Sequence, residues 1–187
     1  MQTPQLMLTQ INAFEQNQFV SALSSLFEGP PWIVTASWQL RPFPSRARLY
    51  RALCDVMYLA PIERKIALLQ AHPDLVGRAA LAGTLTPASA SEQAVAGLNR
   101  LTPEEIEDFS RLNTAYWERF GFPFVICARE NKKASILAGF ASRLQHTRDE
   151  EIALALAEVA KICLFRLNDL VQPDEPSAGE GFVSDKE

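Results

Sequence analysis

His72 is one of two histidines in a chain of 187 residues. It stands in the tetrapeptide His72-Pro73-Asp74-Leu75, directly after an amphipathic run at 62–71. Proline disfavours helical geometry in the residue before it, so His72 is expected to leave that helix and project from a junction. An imidazole titrates near neutrality and can give or take a proton there. The helix C-terminus behind it would favour the charged form. On the tetrapeptide alone, a structural capping histidine reads at least as well.

Glu92 is the second candidate. Ser89-Ala90-Ser91-Glu92 has capping-box spacing, which would make Ser89 the cap and Glu92 its reciprocal partner. Alternatively, a carboxylate at a helix start faces the same cleft as the histidine, and Gln93 adds an amide that both donates and accepts. Arg166 is the third. Ile152, Leu156, Val159, Cys163 and Leu170 mark an apolar stripe, and steps of three and four place Arg166 on it. A guanidinium is rarely buried alone, so Arg166 either reaches a structural carboxylate or lines a site for an anionic ligand. Arg143 flanks the stripe of Leu137, Phe140 and Leu144 and is expected to face water. His146, just beyond that helix, is expected to be exposed.

The apolar segment 122–128 contains Pro123 and has no visible partner strand. It reads as a buried connector. Its peptide groups would lack ladder partners, which leaves them to a ligand or to ordinary core packing. There is no phosphate loop, GxSxG elbow or nucleotide fingerprint, and no lysine in a Schiff-base motif. Chemistry would have to run on histidine, carboxylate and arginine.

The elements that must position these groups are helical nearly throughout. One or two short helices are expected at 12–28, another at 32–39, and longer ones at 45–59 and 62–71. Asp74 could cap a short helix ending at Leu81, with loop chemistry at 83–88. Further helices are expected at 89–99, from the Thr102-Pro103-Glu104-Glu105 start to Phe120, at 131–144 and at 149–171. The expectation is an all-α, single-domain helical bundle of about seven to nine helices over residues 1–171. From Gln172 the chain turns to Pro, Gly, Ser and acid, so 172–187 reads as a disordered acidic tail.

Composition narrows the classes. A 48% hydrophobic content supports a real core. A net charge of −4, with no basic stripe, argues against nucleic acid. No apolar stretch approaches the ~20 residues that cross a bilayer. The N-terminus lacks the charged and apolar regions of a secretory signal. Asp185-Lys186-Glu187 is not a peroxisomal address. Cys54, Cys127 and Cys163 are widely spaced and form no CxxC pair, so a reduced interior without metal in a cytoplasmic protein is expected.

Several segments occur together in one order. They are Ala71-His72-Pro73-Asp74-Leu75, Gly77-Arg78, Leu81-Ala82-Gly83, Ser89-x-x-Glu92-Gln93 and Gly97-Leu98. Phe109-x-x-Leu112-Asn113-x-x-Tyr116, the run at 119–128, Glu158-x-x-Lys161-Ile162 and Arg166-Leu167 follow. In this order and spacing, over residues 12–171, the chain resembles the OHCU decarboxylase family. Its members act on 2-oxo-4-hydroxy-4-carboxy-5-ureidoimidazoline in the oxidation of urate to (S)-allantoin. The resemblance implies an all-α fold, a small-molecule substrate, no cofactor, no metal and a homodimer. It implies His72 as the catalytic histidine, acting with Glu92. Pro73, Ser89, Glu92 and Gln93 would contact substrate, as would Phe124, Val125, Ile126, Cys127 and Ala128, the last group mainly through backbone. Arg166 would be the substrate-binding arginine. The chain departs from the family's usual pattern at Gly29-Pro30-Pro31-Trp32 and at His146. A non-catalytic helical interaction domain and a hydrolase on a related ureido ring are the competing readings.

Overall fold

The computed structural model describes residues 5–174. It is helical: α1 (Leu8–Ala13), α2 (Gln16–Leu23), α3 (Trp32–Ser37), α4 (Arg46–Leu59), α5 (Ile62–Gln70), α6 (Arg78–Leu81), α7 (Pro87–Val95), α8 (Pro103–Phe120), α9 (Lys133–Arg143) and α10 (Arg148–Leu170). Short 3₁₀ turns follow α2 and α3 and precede α9. Because α6 is a single turn, nine helices of six residues or more remain among the described residues, as the periodicity predicts. Among the described residues the one extended contact is a bridge between Leu6 and Val171, which ties the two ends of the domain together.

Local chemistry explains most boundaries. Thr102 caps α8 by accepting from Glu105 N–H, Glu105 closes the box, and Pro103 sits at the first helical position. Gly121 ends α8 in the left-handed conformation, with φ 78°. Thr147 and Glu150 form the same box at α10. The expected cap at Ser89 is corrected. Thr86 caps α7, its Oγ1 accepting from Ser89 N–H at 3.2 Å, and Pro87 opens the helix as Pro103 opens α8. Ser89 and Glu92 therefore lie inside α7, and the box explanation of Glu92 falls away. Asp74 does not cap α6, which begins later, at Arg78.

Helix α10 is the axis of the bundle. It packs against α4, α5, α8 and the 3₁₀ turn Ser24–Leu26. Its inner face carries a row of apolar residues and three buried charges: Glu151, Glu158 and Arg166. These recur at seven and eight residues, about two turns apart, and so share one side of the helix. The segment 122–128 is a buried connector without strand pairing, as expected. Rings hold it down instead: Phe124 stacks on Phe140 with centroids 3.9 Å apart, and Tyr116 meets Phe122 and Phe124 edge-on. Each buried aromatic of this kind contributes about 1.5–3 kcal/mol. That is enough to fix a segment with no ladder.

The expected tail is described only as far as Asp174. Gln172 N–H donates to Leu6 C=O at 2.9 Å, and Asp174 accepts from Arg46 N–H at 2.8 Å. The remainder of that prediction, 175–187, lies outside the described residues. No helix among the described residues is long and apolar enough to cross a membrane.

Candidate functional site

A cleft lies where the α5–α6 junction, α7, the connector and α10 meet. His72, Pro73, Ser89, Glu92, Gln93, Phe124, Val125, Ile126, Ala128 and Arg166 line it, with Leu75 and Ile162 completing the wall. Residues as far apart as 72 and 166 in sequence are thus brought together. Cys127 is the exception among the predicted positions. Its N–H donates to Glu158 Oε2 at 2.7 Å, and its C=O accepts from Glu130 N–H and from Asn131 Nδ2. Both of its peptide groups are occupied by protein.

His72 leaves α5 as the proline rule predicts, and its ring turns back over the helix end. Nδ1 lies 2.9 Å from Leu68 C=O. A carbonyl only accepts, so Nδ1 carries the proton and Nε2 presents a lone pair. Nε2 is buried and has no partner among the described residues. Burial pushes the imidazole below its ordinary value. The Leu68 carbonyl and the carboxylates of Glu28 and Glu92 pull the other way, and Arg166 adds to the lowering. The helix end therefore does not make His72 an imidazolium, because burial outweighs the carbonyl.

The arginine satisfies both sequence alternatives at once. Arg166 lines the cleft and also reaches carboxylates. Its Nε and Nη2 donate to the two oxygens of Glu92, each at 2.8 Å, and Nη2 also donates to Glu28 Oε1 at 3.0 Å. Nη1 donates to Ser25 C=O at 3.2 Å. Burial alone would lower the guanidinium's affinity for its proton. Hydrogen bonds and charge from Glu92 and Glu28 outweigh that and hold it charged.

Glu28 was not singled out from sequence. It is 8% exposed and accepts from Ser89 Oγ at 2.9 Å as well as from Arg166. The turn after it explains its reach. Gly29 has φ 78°, and a Cβ there would sit 2.8 Å from Ala71 Cβ. Only glycine lets this loop close on the end of α5, next to His72.

The far wall is equally fixed. Val76 adopts φ 55°, a left-handed conformation costing a β-branched residue about 1–3 kcal/mol. Gln93 Oε1 accepts Val76 N–H at 3.3 Å, Asn113 Nδ2 donates to Leu75 C=O at 2.8 Å, and Trp117 Nε1 donates to Asp74 Oδ1 at 2.7 Å. These contacts hold the loop that carries Pro73 and Leu75.

Arg143 is not a surface residue; it is 6% exposed. It pairs with the fully buried Glu151 and donates to Val125 C=O at 2.8 Å. Tyr116 OH donates to Glu151 Oε1 at 2.6 Å. His146 is half-buried rather than exposed, with Nδ1 2.9 Å from Glu151 Oε2. The inward turn of Glu151 overturns both expectations, because a buried carboxylate must gather hydrogen-bond donors around it.

Chemistry in the cleft is proton transfer and hydrogen bonding. Burial raises all three thiols above their ordinary range, so none is a ready nucleophile. Among the described residues, no group of three His, Cys, Asp or Glu side chains could hold a metal ion.

The chain matches known proteins over most of its length. A family model described as OHCU decarboxylase matches residues 12–168. The chain is 40% identical over 163 residues to the 2-oxo-4-hydroxy-4-carboxy-5-ureidoimidazoline decarboxylase of Xenopus laevis, covering 87% of this chain and 93% of that protein. It is 38% identical over 165 residues to the decarboxylase of the same name from Amia calva, covering 88% of this chain and 94% of the relative. Among solved structures, an (S)-allantoin synthase superposes with a TM-score of 0.71 at 26% identity, covering 89% of this chain and 54% of the other. The chain thus spans about half the length of that synthase.

Proposed function

Since the chain belongs to the OHCU decarboxylase family, matched over residues 12–168, we propose that its cleft binds 2-oxo-4-hydroxy-4-carboxy-5-ureidoimidazoline and releases CO2 from it, leaving (S)-allantoin in urate degradation. One observation carries the reading at the level of residues. A buried histidine has its Nδ1 proton tied to Leu68 C=O and its Nε2 lone pair without a partner among the described residues, in the wall of the cleft.

The chemistry follows from the substrate. The bond from the ring carbon to the carboxylate breaks, and its electron pair moves into the adjacent ring C=N. CO2 leaves, and the ring nitrogen takes up one solvent proton. The hydroxyl on that carbon gives its proton to His72 Nε2 and becomes a carbonyl. The imidazolium then returns the proton to the ureido-bearing carbon, from the one face it occupies. The ring itself is the electron sink, so the reading calls for no cofactor.

Glu92 orients the ring by accepting an N–H, its own position set by two hydrogen bonds from Arg166. With its Nε and Nη2 already engaged by carboxylates, Arg166 acts mainly by holding Glu92. The Ile126 peptide N–H serves a carbonyl oxygen. Two carboxylates on one guanidinium also leave the cleft formally negative beside the departing carboxylate, which disfavours the bound ground state. The proposed working form is a homodimer in the cytoplasm, which sedimentation equilibrium would test.

Circular dichroism tests the activity. Urate oxidase and hydroxyisourate hydrolase generate the labile substrate in situ, and the protein is then added. Rapid growth of an (S)-allantoin signal is expected. Slow, optically inactive allantoin, unchanged by the protein, would sink the proposal. A product that keeps the mass of CO2 would favour a hydrolase.

The same assay gives a pH prediction. The base works only when neutral, and burial lowers its titration below 6.5. kcat/KM is therefore expected to be flat through neutrality and to fall only on the acid side of 6.5. The unfolded chain binds this proton more readily than the folded one, so the same group also withdraws stability as pH drops through that window. An acid limb above 6.5 would contradict a neutral buried His72.

A further inference from the structure

Glu158 has no place in the reaction as described above, yet it is a carboxylate only 6% exposed on the inner face of α10. Its two oxygens do different things. Oε1 accepts from Lys161 Nζ at 2.8 Å, and Oε2 accepts from the Cys127 N–H at 2.7 Å. A charged acceptor grips a peptide N–H about twice as strongly as a neutral one.

The position of that peptide matters. In an extended segment, successive residues turn their N–H and C=O groups to opposite sides. Val125 and Cys127 therefore share a side. On that side Val125 C=O is held by Arg143 Nη1 at 2.8 Å and Cys127 N–H by Glu158. Ile126 lies between them and turns the other way. It lines the cleft, and no acceptor among the described residues takes its N–H.

We propose that Glu158 is a positioning residue: gripping the Cys127 peptide together with Arg143 on Val125, it fixes the connector so that the Ile126 N–H faces the cleft as a donor for a substrate oxygen. Arg143 is itself immobilised by Glu151 and Tyr116. Two charged side chains thus hold consecutive peptides, 125–126 and 126–127, from behind. The Ile126 N–H shares its planar trans peptide with the Val125 C=O that Arg143 holds, so without the grip of Glu158 on the next peptide the connector is anchored on one side only and this donor is free to shift. This inference rests on the cleft being the substrate site.

Three variants of the full chain test it: Glu158→Gln, Glu158→Ala and Lys161→Met. Glutamine keeps an oxygen acceptor, so kcat/KM is expected to stay within about threefold of wild type, since the donor remains aimed. Alanine removes the acceptor, and displacing the donor by about 1 Å is expected to cost about 10²-fold in kcat/KM, with loss of optical purity in the product. Lys161→Met is expected to lower Tm without changing kcat/KM. In ¹⁵N-labelled protein, the Ile126 amide resonance is expected to shift on adding (S)-allantoin in wild type and not in Glu158→Ala.

Equal kinetics in Glu158→Ala and wild type would overturn the proposal. So would an equal loss in Glu158→Gln and Glu158→Ala. If Glu158→Ala does not fold, an Ile126 amide in wild type that ignores saturating (S)-allantoin overturns it. Hydrogen exchange at the Cys127 amide is expected to be slow in wild type and in Glu158→Gln, and faster without the acceptor. That readout needs no substrate, so an inactive wild type would sink the functional reading and leave the grip itself measurable.

Discussion

Replacing His72 with alanine is expected to lower kcat/KM about 10³-fold, within the range a positioned general acid–base supplies. The fold should survive. Among the described residues the ring makes one hydrogen bond, to Leu68 C=O at the end of α5, and its Nε2 makes none. A buried polar atom without a partner costs about 1–3 kcal/mol, so removing it offsets part of the cavity left behind. Thermal unfolding of His72→Ala is therefore expected close to wild type, the pattern of a residue kept for chemistry at the expense of stability. His72→Gln sharpens the test. Its amide can still donate to Leu68 C=O, but it offers no base near neutrality. It should be as slow as the alanine variant. Near-normal turnover by either one would remove His72 from the proton-transfer step.

His72 was legible because its signal is local. A proline fixes the junction, and a histidine at a junction is chemically conspicuous. The connector was legible for a similar reason, since Pro123 in an apolar run with no partner strand leaves few alternatives. Glu92 is legible as a residue, but its spacing from Ser89 also offers a capping-box reading that the structure removes. Ser-x-x-Glu spacing and Thr-Pro spacing both open helices, and here Thr86-Pro87 prevails three residues earlier. The charges that shape the site from behind were hidden. Glu28 sits in a turn, and its partners Ser89 and Arg166 are 61 and 138 residues away. Glu151 looks like any first-turn acid beside Asp149 and Glu150, and only the direction of α10 sends it inward. With the burial of Glu151 hidden, Arg143 and His146 read as facing water. What could have found them is the spacing of Glu151, Glu158 and Arg166, which recur every two turns along the buried side of α10. Charges on a core-facing stripe must each have a partner. Asking where those partners lie leads to Arg143, to the Cys127 peptide and to Glu92.

The largest loss of stability is expected from Arg166→Met. Methionine matches the volume and flexibility of the stem, so packing changes little. What changes is charge: the buried Glu28 and the partly buried Glu92 would remain side by side without their cation. Breaking a buried pair by removing one partner costs about 3–5 kcal/mol. At about 2–4 °C per kcal/mol for a domain of this size, Tm is expected to fall by about 10 °C. Activity should fall with it, because Glu92 loses the two hydrogen bonds that aim it. The two effects are separable. Adding Glu28→Gln and Glu92→Gln to Arg166→Met removes the unpaired charge and should return most of the lost Tm, but it cannot return an ionised acceptor to the ring, so kcat/KM should stay low. A single Arg166→Met variant that melts within 2 °C of wild type would mean that water reaches the cluster and solvates both carboxylates. The Glu92 aimed by Arg166, on which the ring-orienting role depends, would then not exist.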